Sequence, residues 1–302
     1  MSSPSPSNTT TCTGTPCPSQ KEMSSKNPVS ASHEETELPP RRDCPICNHG
    51  LPLKRSESAY YQCCGRVICF GCVVGRERAE LKETGYIIEG MTPEEEQFLL
   101  ISLSNSCVCP FCRHEGPTTD EESVQFLNNR IRARDDRDYT RALTNLGTCY
   151  AKGEDGLPQD VDKAEELYKQ AFDLDDPHAA LCLARLCCFA DQQEREVKYL
   201  QRGDMLGNVY CTRHLADLAH DSRNFDEMTR FGMKAARMGL EECMEDVFKW
   251  YRQGKLSKDD RSTTLRAHQA VNDELKTPGR EFAKRFHQFV DDNNLEVFYS
   301  RR

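Results

Sequence analysis

Eight of the chain's 17 cysteines fall in four close groups between residues 44 and 112: Cys44-Pro-Ile-Cys47, Cys63-Cys64, Cys69-Phe-Gly-Cys72 and Cys109-Pro-Phe-Cys112. Paired thiolates at this spacing are the ligand pattern of structural zinc, because a tight turn offers two soft sulfur donors to one ion. One such turn supplies two ligands and a tetrahedral ion takes four, so the groups must be shared between two Zn2+ ions. The chain then has to fold around both. A catalytic zinc keeps one coordination position open, whereas these groups can close both spheres with sulfur.

The elements that hold these groups sit in a chain of 302 residues, long enough for roughly two domains. Residues 1–43 are dominated by Ser, Thr and Pro, too poor in apolar side chains to offset the entropy of ordering, and are expected to be a disordered tail. That stretch lacks the apolar run of a secretory signal, so the thiols read as reduced and metal-binding in an intracellular, cytoplasmic or nuclear protein that is not secreted. No run of 18 apolar residues occurs, which argues against a membrane span. The net charge of −9 disfavours nucleic acid as a partner. Arg41, Arg42, Lys54, Arg55, Arg66, Arg76, Arg78 and Arg113 nevertheless gather around the cysteines. They either compensate the negative charge of zinc-bound thiolates or form an ordinary solvated basic face.

The order of the cysteine groups resembles the RING finger, whose first and third pairs hold one zinc and whose second and fourth hold the other. The resemblance implies Cys44, Cys47, Cys69 and Cys72 as site one. The segment Cys64-Gly-Arg-Val-Ile-Cys69-Phe-Gly-Cys72 follows the family's central pattern, except that Arg66 stands where a histidine is usual. Arginine keeps its proton and cannot ligate. Site two is therefore expected from Cys63, Cys64, Cys109 and Cys112, with Cys107 as the alternative to Cys63 and with His49 and His114 as weaker candidates. Adjacent residues of an extended chain point to opposite faces, so Cys63 and Cys64 can share an ion only across a kink, which Gly65 makes cheaper.

The same resemblance implies a ubiquitin-protein ligase. Ile46 and Pro110 occupy the family's contact positions for the ubiquitin-conjugating enzyme, and Arg113 stands where a basic residue bridges that enzyme and ubiquitin. Plain loop packing for Ile46 and Pro110, and charge compensation for Arg113, are the competing readings. An aromatic often present on the family's partner face is missing, since the one tryptophan, Trp250, lies far away.

Beyond the cysteines the pattern is helical, giving a mainly α fold: disordered tail, a small cross-brace RING-type domain over 44–115, a linker helix over 116–136, and an α-solenoid. Thr92-Pro-Glu-Glu95 reads as an N-cap, first-turn proline and capping box ahead of a short helix with Phe98, Leu99 and Leu103 on its apolar side. A helix is also expected over 73–83. Ala142, Leu146, Gly147 and Tyr150, the turn Gly153–Asp160, and Ala164, Leu167, Tyr168 and Ala171 form a helical hairpin resembling the Sel-like repeat, a relative of the tetratricopeptide repeat. Degenerate units follow at Leu181, Ala184 and Cys188, then Val197, Leu200 and Gly203, then Leu215, Ala216 and Ala219, then Phe231, Ala235, Ala236 and Gly239, with Val247 and Tyr251 opening a capping unit. Repeats span 137–255. Helices over 256–302, broken near Thr277-Pro278-Gly279, should cover the solenoid end or extend from it.

Stacked repeats leave a concave surface that suits a protein or peptide substrate. No phosphate loop or nucleotide motif is present. The expected function is thus a modular ligase that recruits a conjugating enzyme at one end and a substrate at the other, with a non-enzymatic scaffold as the competing class.

Overall fold

The computed structural model describes residues 42–52, 57–103, 108–134 and 139–292, leaving aside the side chains of Phe98, Ile101, Ser102, Leu103 and Asp291. Nearly all of the tail, with Arg41, Lys54, Arg55 and Cys107, lies outside the described residues. The fold is mainly helical: a small cysteine-rich half followed by a helical repeat solenoid.

The first half is built on an antiparallel hairpin of β1 (Ser58–Tyr61) and β2 (Arg66–Cys69), paired Ala59 with Ile68 and Tyr60 with Val67. Strand side chains alternate between faces, and here each face is buried in a different core. Ala59, Tyr61 and Ile68 pack with the cysteines, while Tyr60 and Val67 pack with Leu127, Ala142 and Leu146 of the helices that follow. The hairpin therefore joins the two halves through its own thickness.

Helix α1 (Phe70–Glu83) starts three residues earlier than its sequence suggests, directly after Cys69. Helix α2 (Pro93–Leu103) carries the expected capping box: the Glu95 amide donates to Thr92 Oγ1 at 3.2 Å and the Thr92 amide to Glu95 Oε2 at 2.8 Å. Its buried positions are Glu96, Gln97 and Leu100 rather than the Leu99 face expected, because the Glu96 carboxylate turns inward to pair with Arg78. Phe98 and Leu103 lie outside the described side chains.

Helix α3 (Asp120–Ala133), capped by Thr119, leads into hairpins of α4 (Tyr139–Lys152) with α5 (Val161–Phe172), α6 (Pro177–Phe189) with α7 (Gln193–Met205), and α8 (Val209–Asp221) with α9 (Phe225–Arg237). Helix α10 (Glu241–Arg252) and the first long terminal helix, α11 (Lys258–Leu275), close the stack against α9. Asp160, Asp176, Asn208 and Asn224 cap the repeat helices with side-chain oxygens. In the first hairpin the turn uses Gly153 and Gly156 at positive φ; later turns are shorter and place Asp191 and Arg223 there instead. Gly239, expected within a helix, lies beyond α9 with φ 103° and ends that unit. Of the expected first-helix positions, Cys188 is half-buried while Cys187 faces the core, and Tyr251 is half-buried beside a buried Val247.

The last helix, α12 (Pro278–Asp292), neither caps nor extends the solenoid. It returns to the first half and packs on α1, where Ala283 and Phe286 are buried in the cysteine core. Among the described residues, no helix is long and apolar enough to cross a membrane.

Candidate metal centres

Two turns of the same design open the site. After Cys44, the Asn48 amide donates to the Cys44 carbonyl at 2.8 Å and the Cys44 amide to His49 at 2.8 Å; after Cys109, the Arg113 amide donates to the Cys109 carbonyl at 3.0 Å and the Cys109 amide to His114 at 2.9 Å. Asn48 (φ 55°) and Arg113 (φ 56°) take the left-handed position that closes each turn. The backbone thus points both sulfurs of each pair inward.

The structure brings the predicted cysteines into two groups, Cys44, Cys47, Cys69 and Cys72, and Cys63, Cys64, Cys109 and Cys112, with all sulfurs of a group within 4.8 Å of one another. Sγ separations are 3.8 Å for Cys44 to Cys72 and for Cys47 to Cys69, 3.5 Å for Cys64 to Cys109, and 3.4 Å for Cys63 to Cys112. A tetrahedron with metal–sulfur bonds of about 2.3 Å has edges of about 3.8 Å. Each group of four thiolates so placed fits one dication. Either group could hold a metal ion.

The kink that lets neighbours Cys63 and Cys64 converge is a tight turn after β1, where Gly65 takes φ 74° and donates to the Tyr61 carbonyl at 2.7 Å. His49 and His114, the weaker candidates, stand outside both groups: their Nδ1 atoms lie 2.7 Å from the carbonyls of Cys47 and Glu115. Cys107 lies outside the described residues.

The thiols of each group work against one another. Hydrogen bonds from Cys69 and Cys72 pull Cys44 far down, while their bonds to Cys44 push Cys69 and Cys72 up; burial pushes Cys64 up to about 11. Four sulfurs this close cannot all carry charge unless a cation sits among them.

The basic residues divide by role. Arg66, in the place a histidine would take, lies 4.9 Å over the Phe111 ring, and Arg76 donates to the Val108 carbonyl at 3.2 Å. Arg78 pairs with Glu96. A guanidinium from outside this set reaches a sulfur of the first group: Arg280 of α12 points Nη2 at Cys47 Sγ, 3.9 Å away. Ile46 is 45% exposed at the tip of the first turn, Pro110 is half-buried in the second, and Arg113 is exposed.

On the solenoid, a cleft of about 440 Å³ opens between α8, α9 and α10, lined by Arg213, Asp217, Met228, Lys249 and Trp250 among others. Arg213 bridges Asp217 at 3.0 Å and Asp246 at 2.9 Å, tying α8 to α10 at its edge. Cys149, Cys182, Cys187, Cys211 and Cys243 are buried cysteines within the helices.

No family model matches the chain, and no curated protein does. Among solved structures it is similar to a protective antigen of uropathogenic Escherichia coli strains displaying an SLR fold, at 12% identity and a TM-score of 0.39 over 66% of this chain and 45% of that one. It is also similar to a Sel1 repeat protein from Oxalobacter formigenes, at 13% identity and a TM-score of 0.42 over 69% of this chain and 85% of that one. The chain thus spans less than half the length of the first of these.

Proposed function

We propose that the chain is a RING-type zinc protein acting as a ubiquitin-protein ligase, its amino-terminal half recruiting a ubiquitin-conjugating enzyme and its solenoid holding a protein substrate. The observation that carries this reading is the interleaving of the cysteine groups, first pair with third and second with fourth. Zinc is the ion that all-sulfur, four-coordinate spheres favour, and free thiols of this kind imply a reducing, intracellular compartment. Ile46 stands exposed for an apolar contact, with Pro110 beside the second turn. Arg113, fixed at the end of that turn, presents a planar donor fork suited to two simultaneous hydrogen bonds. The reaction would take place on the recruited enzyme, and this chain would contribute proximity and orientation with no covalent intermediate of its own.

A non-enzymatic scaffold is the second reading. Two observations favour it: Arg66 is engaged with Phe111, and α12 covers part of α1. Ubiquitin-chain formation with a panel of conjugating enzymes separates the two. Activity in the wild type, lowered about 10–100-fold by Ile46→Ala and by Arg113→Ala, is expected of the ligase. No product with any enzyme would leave the scaffold, and product unaffected by either substitution would overturn the roles given to these residues. Zinc counting on the same proteins should give two ions per chain, one in Cys63→Ser and two in Cys107→Ser.

A further inference from the structure

The metal-binding half does not complete its own core. Cys44, Ile68, Phe70, Val73 and Val74 are packed with Ala283 and Phe286, which arrive from the far end of the chain. Close approach is possible because position 71 has no side chain: a Cβ there would lie 2.7 Å from the Arg280 amide nitrogen. Flanking contacts align the helix, with the Phe70 and His287 rings 4.4 Å apart and the Arg78 guanidinium 4.9 Å over Phe282.

At the start of α12, Arg280 is buried, with 6% of its surface exposed. Its Nη1 donates to the Leu275 carbonyl at 3.2 Å, which fixes the fork. Nη2 then reaches the first cysteine turn, donating to the Gly50 carbonyl at 2.7 Å and lying 3.5 Å from the His49 carbonyl and 3.9 Å from Cys47 Sγ. The His49 carbonyl is the acceptor that closes the turn holding Cys44 and Cys47. One cation therefore grips both a ligand sulfur and the backbone that aims the ligands.

The geometry points to Arg280 as an outer-sphere clamp on the Cys44 centre, so that ion occupancy and the docking of α12 are a single linked equilibrium. With an ion bound, the four sulfurs carry excess negative charge, about −2 for the whole centre, and the turn is held in the shape that Arg280 matches. Without the ion, the turn loses that constraint, and a buried guanidinium loses its anionic neighbour. Linkage is reciprocal: the factor by which docking tightens the ion is the factor by which the ion tightens docking. The inference rests on the metal reading of the Cys44 group and is independent of ligase activity.

The test uses the full-length chain and two measurements. Competition of Zn2+ against a chromogenic chelator should show Arg280→Ala weakening one of two ions by about 10–100-fold while the other is unchanged, with Arg280→Lys intermediate. Hydrogen exchange of the wild type before and after chelation should show the amides of residues 280–290 losing protection together with the first cysteine turn, while those of α6 to α9 hold theirs. Gly279→Val keeps Arg280 but wedges the helix away from the Gly71 carbonyl, which a Cβ at 279 would approach to 3.1 Å; it should weaken the same ion. Two ions of unchanged affinity in Arg280→Ala, or α12 amides that stay protected after chelation, would overturn the linkage alone. A wild-type chain that holds no stoichiometric Zn2+ would overturn the metal reading and the linkage with it.

Discussion

Single residues in this protein are governed by the surroundings that burial gives them. The grouping of Cys63 and Cys64 with Cys109 and Cys112 was legible from their number and neighbours, yet the convergence of the adjacent pair depends on a φ of 74° at Gly65. Arg66 was legible as unable to ligate, but its place over Phe111 was not, since a ring contact leaves no spacing signal. Glu196 gave no sign at all. It is 4% exposed between α7 and α8, with Oε1 3.4 Å from His214 Nε2, and burial pushes its carboxyl up from 4.5 to about 7. Burial pushes His214 the other way, down, so the neighbour does not supply a standing positive charge; Asp217 and Arg185 also act on that imidazole. The folded chain thus holds the Glu196 proton more tightly than the unfolded chain does. Its contribution to stability is full below about pH 4.5 and is lost as pH rises to about 7. Glu196→Gln should therefore gain on the wild type by about 2 kcal/mol between pH 5 and pH 8 in denaturant titrations. A difference that stays flat with pH would show the carboxyl to be ordinary.

At the scale of elements, the repeat helices were readable from their apolar stripes, and for α5 the stripe agrees with a second signal, the capping Asp160 in front of it. The hairpin of β1 and β2 carries no alternation in its sequence because both of its faces are buried, each in a different core. Glycine placement shows how much packing lies between pattern and energy. Gly147 of α4 faces the ring of Tyr168 on α5, and a Cβ there would come within 2.7 Å of it. Gly75 of α1 is exposed, with nothing within 4 Å of the same added atom. One chemical change should then have opposite signs. Gly147→Ala should lower stability by about 1–3 kcal/mol by forcing α4 and α5 apart, whereas Gly75→Ala should raise it by about 0.5–1 kcal/mol through helix propensity. Thermal melts of the two variants beside the wild type decide this. Losses in both would mean that the exposed face of α1 is in use.

For the whole molecule, the division into a cysteine-rich half and a helical repeat half was legible from composition and period. The return of α12 was not. Its amphipathic sequence reveals that one face is buried, but a period carries no address, and the partner surface lies roughly 200 residues away. Among the described residues the two halves meet through the thickness of the hairpin and again through α12, so the chain is closed on itself rather than strung out. That closure orders events in time during synthesis. At about 5–20 residues per second, the stretch from Val74 to Phe286 takes on the order of 10–40 s to emerge from the ribosome. The portion made first is thus the last to be finished, and a nascent chain halted before Phe286 leaves Phe70 and Val74 as an adhesive patch that must be shielded until translation ends.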